Sequence, residues 1–272
     1  MILRLDLEYD GAAFYGWAAQ PGLRTVEGVL TEALRTFWPH SGRPAVAGRT
    51  DTGVHASGQV VTLDGAEGGP EIARVAAALN AHLPPDVAVL GCTRAPEGFH
   101  ARFSALSRLY EYRVLRSRAP SPLRAARTWH WPRELSRELL DECAAALLGE
   151  HDFRAFTPAE TQHEVFRRNV LAAAWRQQGD ELVFRIEADS FLRHMVRTLV
   201  GTMLQTAGGE RSPEAFASLL AGVPRVAVGV TAPPHALCLM DVRYTPSERQ
   251  HKLNAPGSTI RGAGRRWPGD SP

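Results

Sequence analysis

Residues 2–9 alternate apolar and polar side chains at period 2, and from Thr25 the apolar positions fall at helical spacing. That switch from strand period to helix period recurs along the chain and limits its fold more than any other feature. After the first strand, Asp10-Gly11 and Gly16 break the chain into a loop carrying Phe14, Tyr15 and Trp17. Thr25 is placed to cap a helix whose inner face is Val26, Val29, Leu30, Ala33, Leu34 and Phe37, stopped before Pro39. A strand over 58–63, a helix over 70–83 ended by Pro84-Pro85, and a strand over 87–93 follow. With the turn region before residue 58, the order is β-α-β-β-α-β, that of a ferredoxin-like unit.

The rhythm returns further on. Strands are expected over 108–115 and 127–131, then a helix over 136–148. Strands over 170–177 and 182–188 flank Gly179-Asp180, a hairpin turn signal. A helix over 191–206 presents Leu192, Met195, Val196, Leu199, Val200 and Met203 to the core. Ser212-Pro213-Glu214 starts a short helix, and 238–244 closes as a strand. No close internal sequence repeat accompanies this repeated order. The expected organisation is a first half over 1–105, a second over 106–245, and a disordered basic tail over 246–272 without apolar periodicity.

Composition narrows the function. The tail carries Arg249, Lys252, Arg261, Arg265 and Arg266 against Glu248 and Asp270, so the body is left slightly acidic although the whole chain is +2. Bulk charge therefore does not mark a nucleic-acid binder, and any RNA surface must come from local segregation of Arg. No apolar run reaches the roughly 18–20 residues of a membrane span, and the first residues alternate instead of forming a signal core. A cytoplasmic location is expected. Cys92, Cys143 and Cys238 are widely spaced and read as buried reduced thiols; neither they nor the ten His have metal-site spacing, so no metal is expected. No P-loop or dinucleotide fingerprint occurs, so no cofactor is expected either.

The run Ala47-Gly48-Arg49-Thr50-Asp51-Thr52-Gly53-Val54-His55 holds one carboxylate between two glycines, just before the strand Gln59-Val60-Val61-Thr62-Leu63. Gly admits positive φ and close backbone approach, while Asp and Thr bond local backbone, so this turn holds Asp51 out from a rigid sheet. Taken alone, such an Asp is more often structural than reactive.

Other motifs follow in order. They are Tyr9-Asp10-Gly11, Gly16-Trp17, Leu79-Asn80-Ala81, Phe99-His100-Ala101-Arg102-Phe103-Ser104-Ala105 and Arg108-Leu109-Tyr110-Glu111-Tyr112. Later come Gly149-Glu150-His151-Asp152-Phe153, Phe191-Leu192-Arg193-His194-Met195-Val196-Arg197 and Thr231-Ala232-Pro233. Over about residues 1–245 the set resembles the tRNA pseudouridine synthase A family. The resemblance implies an α+β fold in which two ferredoxin-like, RRM-like halves join into one extended, largely antiparallel sheet. Helices would cover one face, and the active cleft would lie between the halves. It implies isomerisation of uridine to pseudouridine at positions 38, 39 and 40 of the tRNA anticodon stem-loop, by a homodimer, with no DNA or membrane partner.

By the same resemblance Asp51 is the catalytic aspartate, Arg197 its basic partner on the long helix and Tyr110 the active-site tyrosine. An ionised, partly buried Asp51 needs a cation alongside, and the expected helix carries Arg193 and Arg197 four residues apart. Tyr110 is suited to stack on an extruded base and relay a proton; Tyr112, on the same sheet face, is its confounder. Arg49, His100 and Arg102 are the candidates for substrate binding, with Arg49 on a phosphate near the flipped nucleotide. The Arg residues at 108, 113, 116, 118, 124 and 127 are candidates for tracking an RNA backbone, and His55 is expected to be structural. The chain departs from the family at Ala18-Ala19-Gln20, where Gln-Arg-Gln is common, and at His235-Ala236, where Gly usually precedes Leu. The alternatives are a non-catalytic RNA-binding protein of RRM-like fold and a metal-dependent hydrolase built on Asp51 and His55.

Overall fold

The computed structural model describes residues 1–161, 163–225 and 228–245; the expected tail over 246–272 lies outside them. Among the described residues the fold is α+β, with five α-helices and mostly antiparallel strand pairs. Contacts divide the described residues into two compact units, one of residues 1–50, 55–106 and 240–245, the other drawn from 51–54 and 107–239. Among the described residues no helix is long and apolar enough to cross a membrane.

In the first unit β1 (Leu3–Tyr9) lies between β4 (Val87–Arg94) and β3 (His55–Leu63), and the short β2 (Ala45–Val46) pairs with β3, every pair antiparallel. The alternation read from the sequence is the burial pattern of β1: Leu3, Leu5 and Leu7 are fully buried while Arg4 and Asp6 are not. Helix α1 (Val26–Arg35) begins as expected, the Thr25 hydroxyl accepting from the Gly28 N–H at 3.2 Å. Helix α2 (Ile72–Asn80) supplies Val75 and Leu79 to the core.

In the second unit the strands run in the order β5 (Ser107–Leu115), β9 (Glu181–Ala188), β8 (Arg167–Gln178), β7 (Gly149–Asp152), with the two-residue β6 (Trp129–His130) parallel to β5. Helices α3 (Arg137–Ala146), α4 (Met195–Ala207) and α5 (Pro213–Ser218) belong to this unit, and Ser136 and Ser212 cap α3 and α5 through their hydroxyls.

Four sequence expectations need correction. Helix α4 starts at Met195 and not near Phe191, because His194 has φ of 63°, which no right-handed helix can contain. Arg193 therefore precedes the helix and is exposed, so it does not share a helix face with Arg197. Nor is α4 one-sided. All its residues are buried except Arg197 and Gln205, and its Thr202 and Thr206 hydroxyls are satisfied by the carbonyls four residues back. The closing strand β10 (Leu237–Arg243) does not stay with residues 106–245. Its segment from Met240 onward belongs to the first unit, where the Arg243 carbonyl accepts from Leu106 and the Tyr244 hydroxyl donates to the Ala101 carbonyl. Of the three free cysteines only Cys143 is fully buried.

Candidate active site

Asp51 opens a tight turn. The Val54 N–H donates to the Asp51 carbonyl at 3.1 Å, and Gly53, third in the turn, has φ of 78°, the value a type II turn demands there. A Cβ on Gly53 would also sit 3.0 Å from the Pro234 ring, tighter than an ordinary contact. Although flanked in sequence by the first unit, this turn is part of the second.

The second unit supplies the cation. Arg197, in the first turn of α4, donates from Nη1 to Asp51 Oδ2 at 3.3 Å. Its side chain is fixed from behind, because Nε donates to the Ala232 carbonyl at 2.8 Å while the Arg197 carbonyl accepts from the Ala232 N–H at 3.1 Å. The segment making this latch approaches α4 over Gly201, where a Cβ would fall 1.9 Å from the Val230 carbonyl oxygen.

His194 stands on the same carboxylate oxygen, with Nε2 3.6 Å from Asp51 Oδ2. Burial pushes this imidazole below its ordinary value of 6.5; the Asp51 charge opposes the shift, and Arg197, Arg193 and Arg225 add to it. Arg197 is therefore the permanent counter-ion. Asp51 keeps a quarter of its side chain exposed. The result is a carboxylate paired with one fixed guanidinium and still open to a substrate, a group fit for nucleophilic or charge-stabilising chemistry.

The two tyrosines of β5 are separated by their surroundings. Tyr112 is completely buried; its hydroxyl donates to the Pro233 carbonyl at 2.9 Å, and burial pushes its phenol up. It thus braces the segment next to the Arg197 latch. Tyr110 keeps slight exposure and lies edge-on against Phe191, ring centres 5.0 Å apart.

The remaining candidates belong to the first unit. Arg49 is exposed, with the Glu27 carboxylate as an electrostatic neighbour. His100 caps its own turn, Nδ1 accepting from the Arg102 and Phe103 N–H groups at 3.1 and 3.4 Å. Arg102 is exposed and lies 5.4 Å from the centre of the exposed Phe103 ring. His55 is buried, as its structural reading requires: Nδ1 accepts from the Gly11 N–H at 3.0 Å. Half of the Arg-rich stretch of the second unit is engaged already. Arg113 pairs with Glu111 and Glu181, Arg124 pairs with Asp180 and Glu181, and Arg108 donates to the Asp189 carbonyl. Its candidacy for backbone tracking is reduced accordingly.

The structure thus brings Asp51 and Arg197 into contact and adds two features that received no role from sequence, His194 and the Ala232 latch. No signal in the sequence set His194 apart, since it falls inside the apolar helical run that opens with Phe191 and Leu192.

Comparison with known proteins points one way. A family model described as tRNA pseudouridine synthase matches residues 143–245. Curated proteins named tRNA pseudouridine synthase A are similar over nearly the whole length. That of Frankia casuarinae is 46% identical over 253 residues, covering 90% of this chain and 89% of its own. That of Halalkalibacterium halodurans is 42% identical over 236 residues, covering 86% and 89%. That of Bacillus subtilis is 39% identical over 246 residues, covering 90% and 99%.

Proposed function

The chain belongs to the tRNA pseudouridine synthase A family, and on that premise we propose that Asp51 is its catalytic carboxylate. As a member it is an isomerase that converts uridine in tRNA to pseudouridine. The proposal places the reaction at positions 38, 39 and 40 of the anticodon stem-loop. The enzyme would be a cytoplasmic homodimer in which a second subunit helps to position the tRNA. Two ferredoxin-like halves with a cleft between them, the arrangement the resemblance implies, are part of the same reading.

The chemistry follows from the bonds exchanged. The N1–C1′ bond breaks with its electron pair leaving on the base, the base turns while held, and C5 bonds to C1′. A proton then leaves C5 and N1 gains one, so neither a redox partner nor an energy source is needed. Asp51 can act by adding to C1′ of the ribose or to C6 of the base; both routes need an ionised carboxylate. The observation that carries the reading is the Arg197 guanidinium 3.3 Å from Asp51 Oδ2, itself latched to Ala232. Tyr110 would stack on the extruded base and relay the C5 proton. Arg49 would hold the phosphate beside the flipped nucleotide, and His100 and Arg102 the flanking backbone.

The test is a set of tRNAs carrying uridine at only one of positions 38, 39 and 40, mapped for pseudouridine after incubation with the enzyme. Conversion at those positions and at no other uridine is expected. Conversion confined to a different part of the tRNA would refute the placement.

A further inference from the structure

We propose that His194 is a positioning residue for the isomerisation: with Arg197 it holds Asp51 by Oδ2, so that Oδ1 is the oxygen presented to the substrate. The inference rests on Asp51 being the catalytic carboxylate.

Three observations support it. Both neighbours approach the same oxygen, Arg197 Nη1 at 3.3 Å and His194 Nε2 at 3.6 Å, and no hydrogen bond from a described residue reaches Oδ1. His194 is also the one non-glycine residue with positive φ among those described. Backbone of that kind persists where surrounding structure imposes it, and it gathers at functional sites. Finally, His194 occupies the N-cap of α4 yet makes no capping bond, so the helix start forgoes its usual side-chain acceptor while the imidazole lies beside Asp51.

The left-handed backbone explains the placement. A helical residue 194 would extend α4 back toward Arg193 and change the direction of the ring. The groups that act on the imidazole are Asp51, Arg197, Arg193 and Arg225, one anion and three cations. Burial, with this balance, favours the neutral ring. At 3.6 Å a neutral ring positions the carboxylate by contact and not by a hydrogen bond, without adding a second positive charge, which would draw electron density from the attacking oxygen.

The experiment compares His194→Gly and His194→Asn with the native enzyme, both replacements being tolerant of positive φ. We expect kcat to fall about tenfold or more in each, the scale set by slight misplacement of a reacting group. KM for tRNA should stay within about twofold, and added imidazole should restore part of the lost kcat in His194→Gly. A purely structural role would not respond to imidazole. Unchanged kcat in both variants, a loss confined to KM, or a kcat loss that imidazole leaves untouched would overturn the proposal. Should His194→Gly prove less heat-stable than the native chain, the kcat and KM of His194→Asn decide. Asp51→Asn is assayed alongside. If it is inactive while His194→Gly is fully active, only this inference fails; if it is fully active, the underlying reading fails.

Discussion

Thr50 and Asp51 are adjacent in sequence and are held in opposite ways. The Thr50 hydroxyl shares a 2.7 Å hydrogen bond with the Tyr9 hydroxyl, which also accepts from Gln59 Nε2 at 3.2 Å. Gln59 donates again to the Gly48 carbonyl at 2.7 Å, and the Thr50 carbonyl accepts from Trp17. All three side chains are buried and neutral. Asp51 is a carboxylate, a quarter exposed, and faces a guanidinium and an imidazole. The difference has a physical reason. A satisfied neutral network in a low-dielectric interior fixes backbone strongly. The same burial would push a carboxylate toward its protonated, unreactive form. Rigidity is thus built at residue 50 and reactivity at residue 51.

Breaking the charged side should have the largest effect. Arg197→Met removes the counter-ion and the side-chain half of the Ala232 latch; kcat should fall about a hundredfold with little change in tRNA affinity, measured by single-turnover assay and filter binding. An equal loss in Tyr9→Phe would erase the distinction drawn here.

The β5 tyrosines sharpen it. Tyr110→Phe should lower kcat by up to about a hundredfold, the low end of what a proton-transfer group contributes, at unchanged melting temperature. Tyr112→Phe should do the reverse, destabilising by about 1 kcal/mol through the unmade bond to Pro233 with kcat nearly native. Tyr9→Phe, on the neutral side, should likewise cost about 1–2 kcal/mol in denaturant unfolding and alter kcat by no more than a few-fold.

The smallest effect expected is on acid stability. His194 titrates below 6.5 in the fold, so the unfolded chain binds more protons between that lowered value and 6.5. Native stability is therefore lost as pH falls from about 6.5 through the folded value. The melting temperature of the native enzyme should drop further on acidification than that of His194→Asn; parallel curves would show that the imidazole is not held neutral.

Much of this was legible before the structure. Thr25, Ser136 and Ser212 each precede an apolar helical pattern, and each hydroxyl makes the capping bond that position implies. Strand β1 was written in its alternation. Strand β6 falls within the strand expected over 127–131, whereas β2 has two residues and β7 four, too few to carry a period. The partners of the Arg-rich stretch were hidden for another reason. Glu181 and Asp180 lie far along the chain and meet Arg113 and Arg124 through the β5–β9 pairing. At the site, Asp51 and Arg197 were legible only as members of a family pattern, since nothing in a lone turn Asp or helix Arg announces a contact across 146 positions. His194 was quoted within a motif and given no role, because its left-handed backbone has no signature in residue type alone.

The most direct test of the account is single-turnover release of label from C5 of uridine in tRNA labelled at position 39, comparing the native enzyme with Asp51→Asn. Release by the native enzyme and none by Asp51→Asn, with tRNA binding equal in both, is the result the account predicts. Release by Asp51→Asn at the native rate would contradict it.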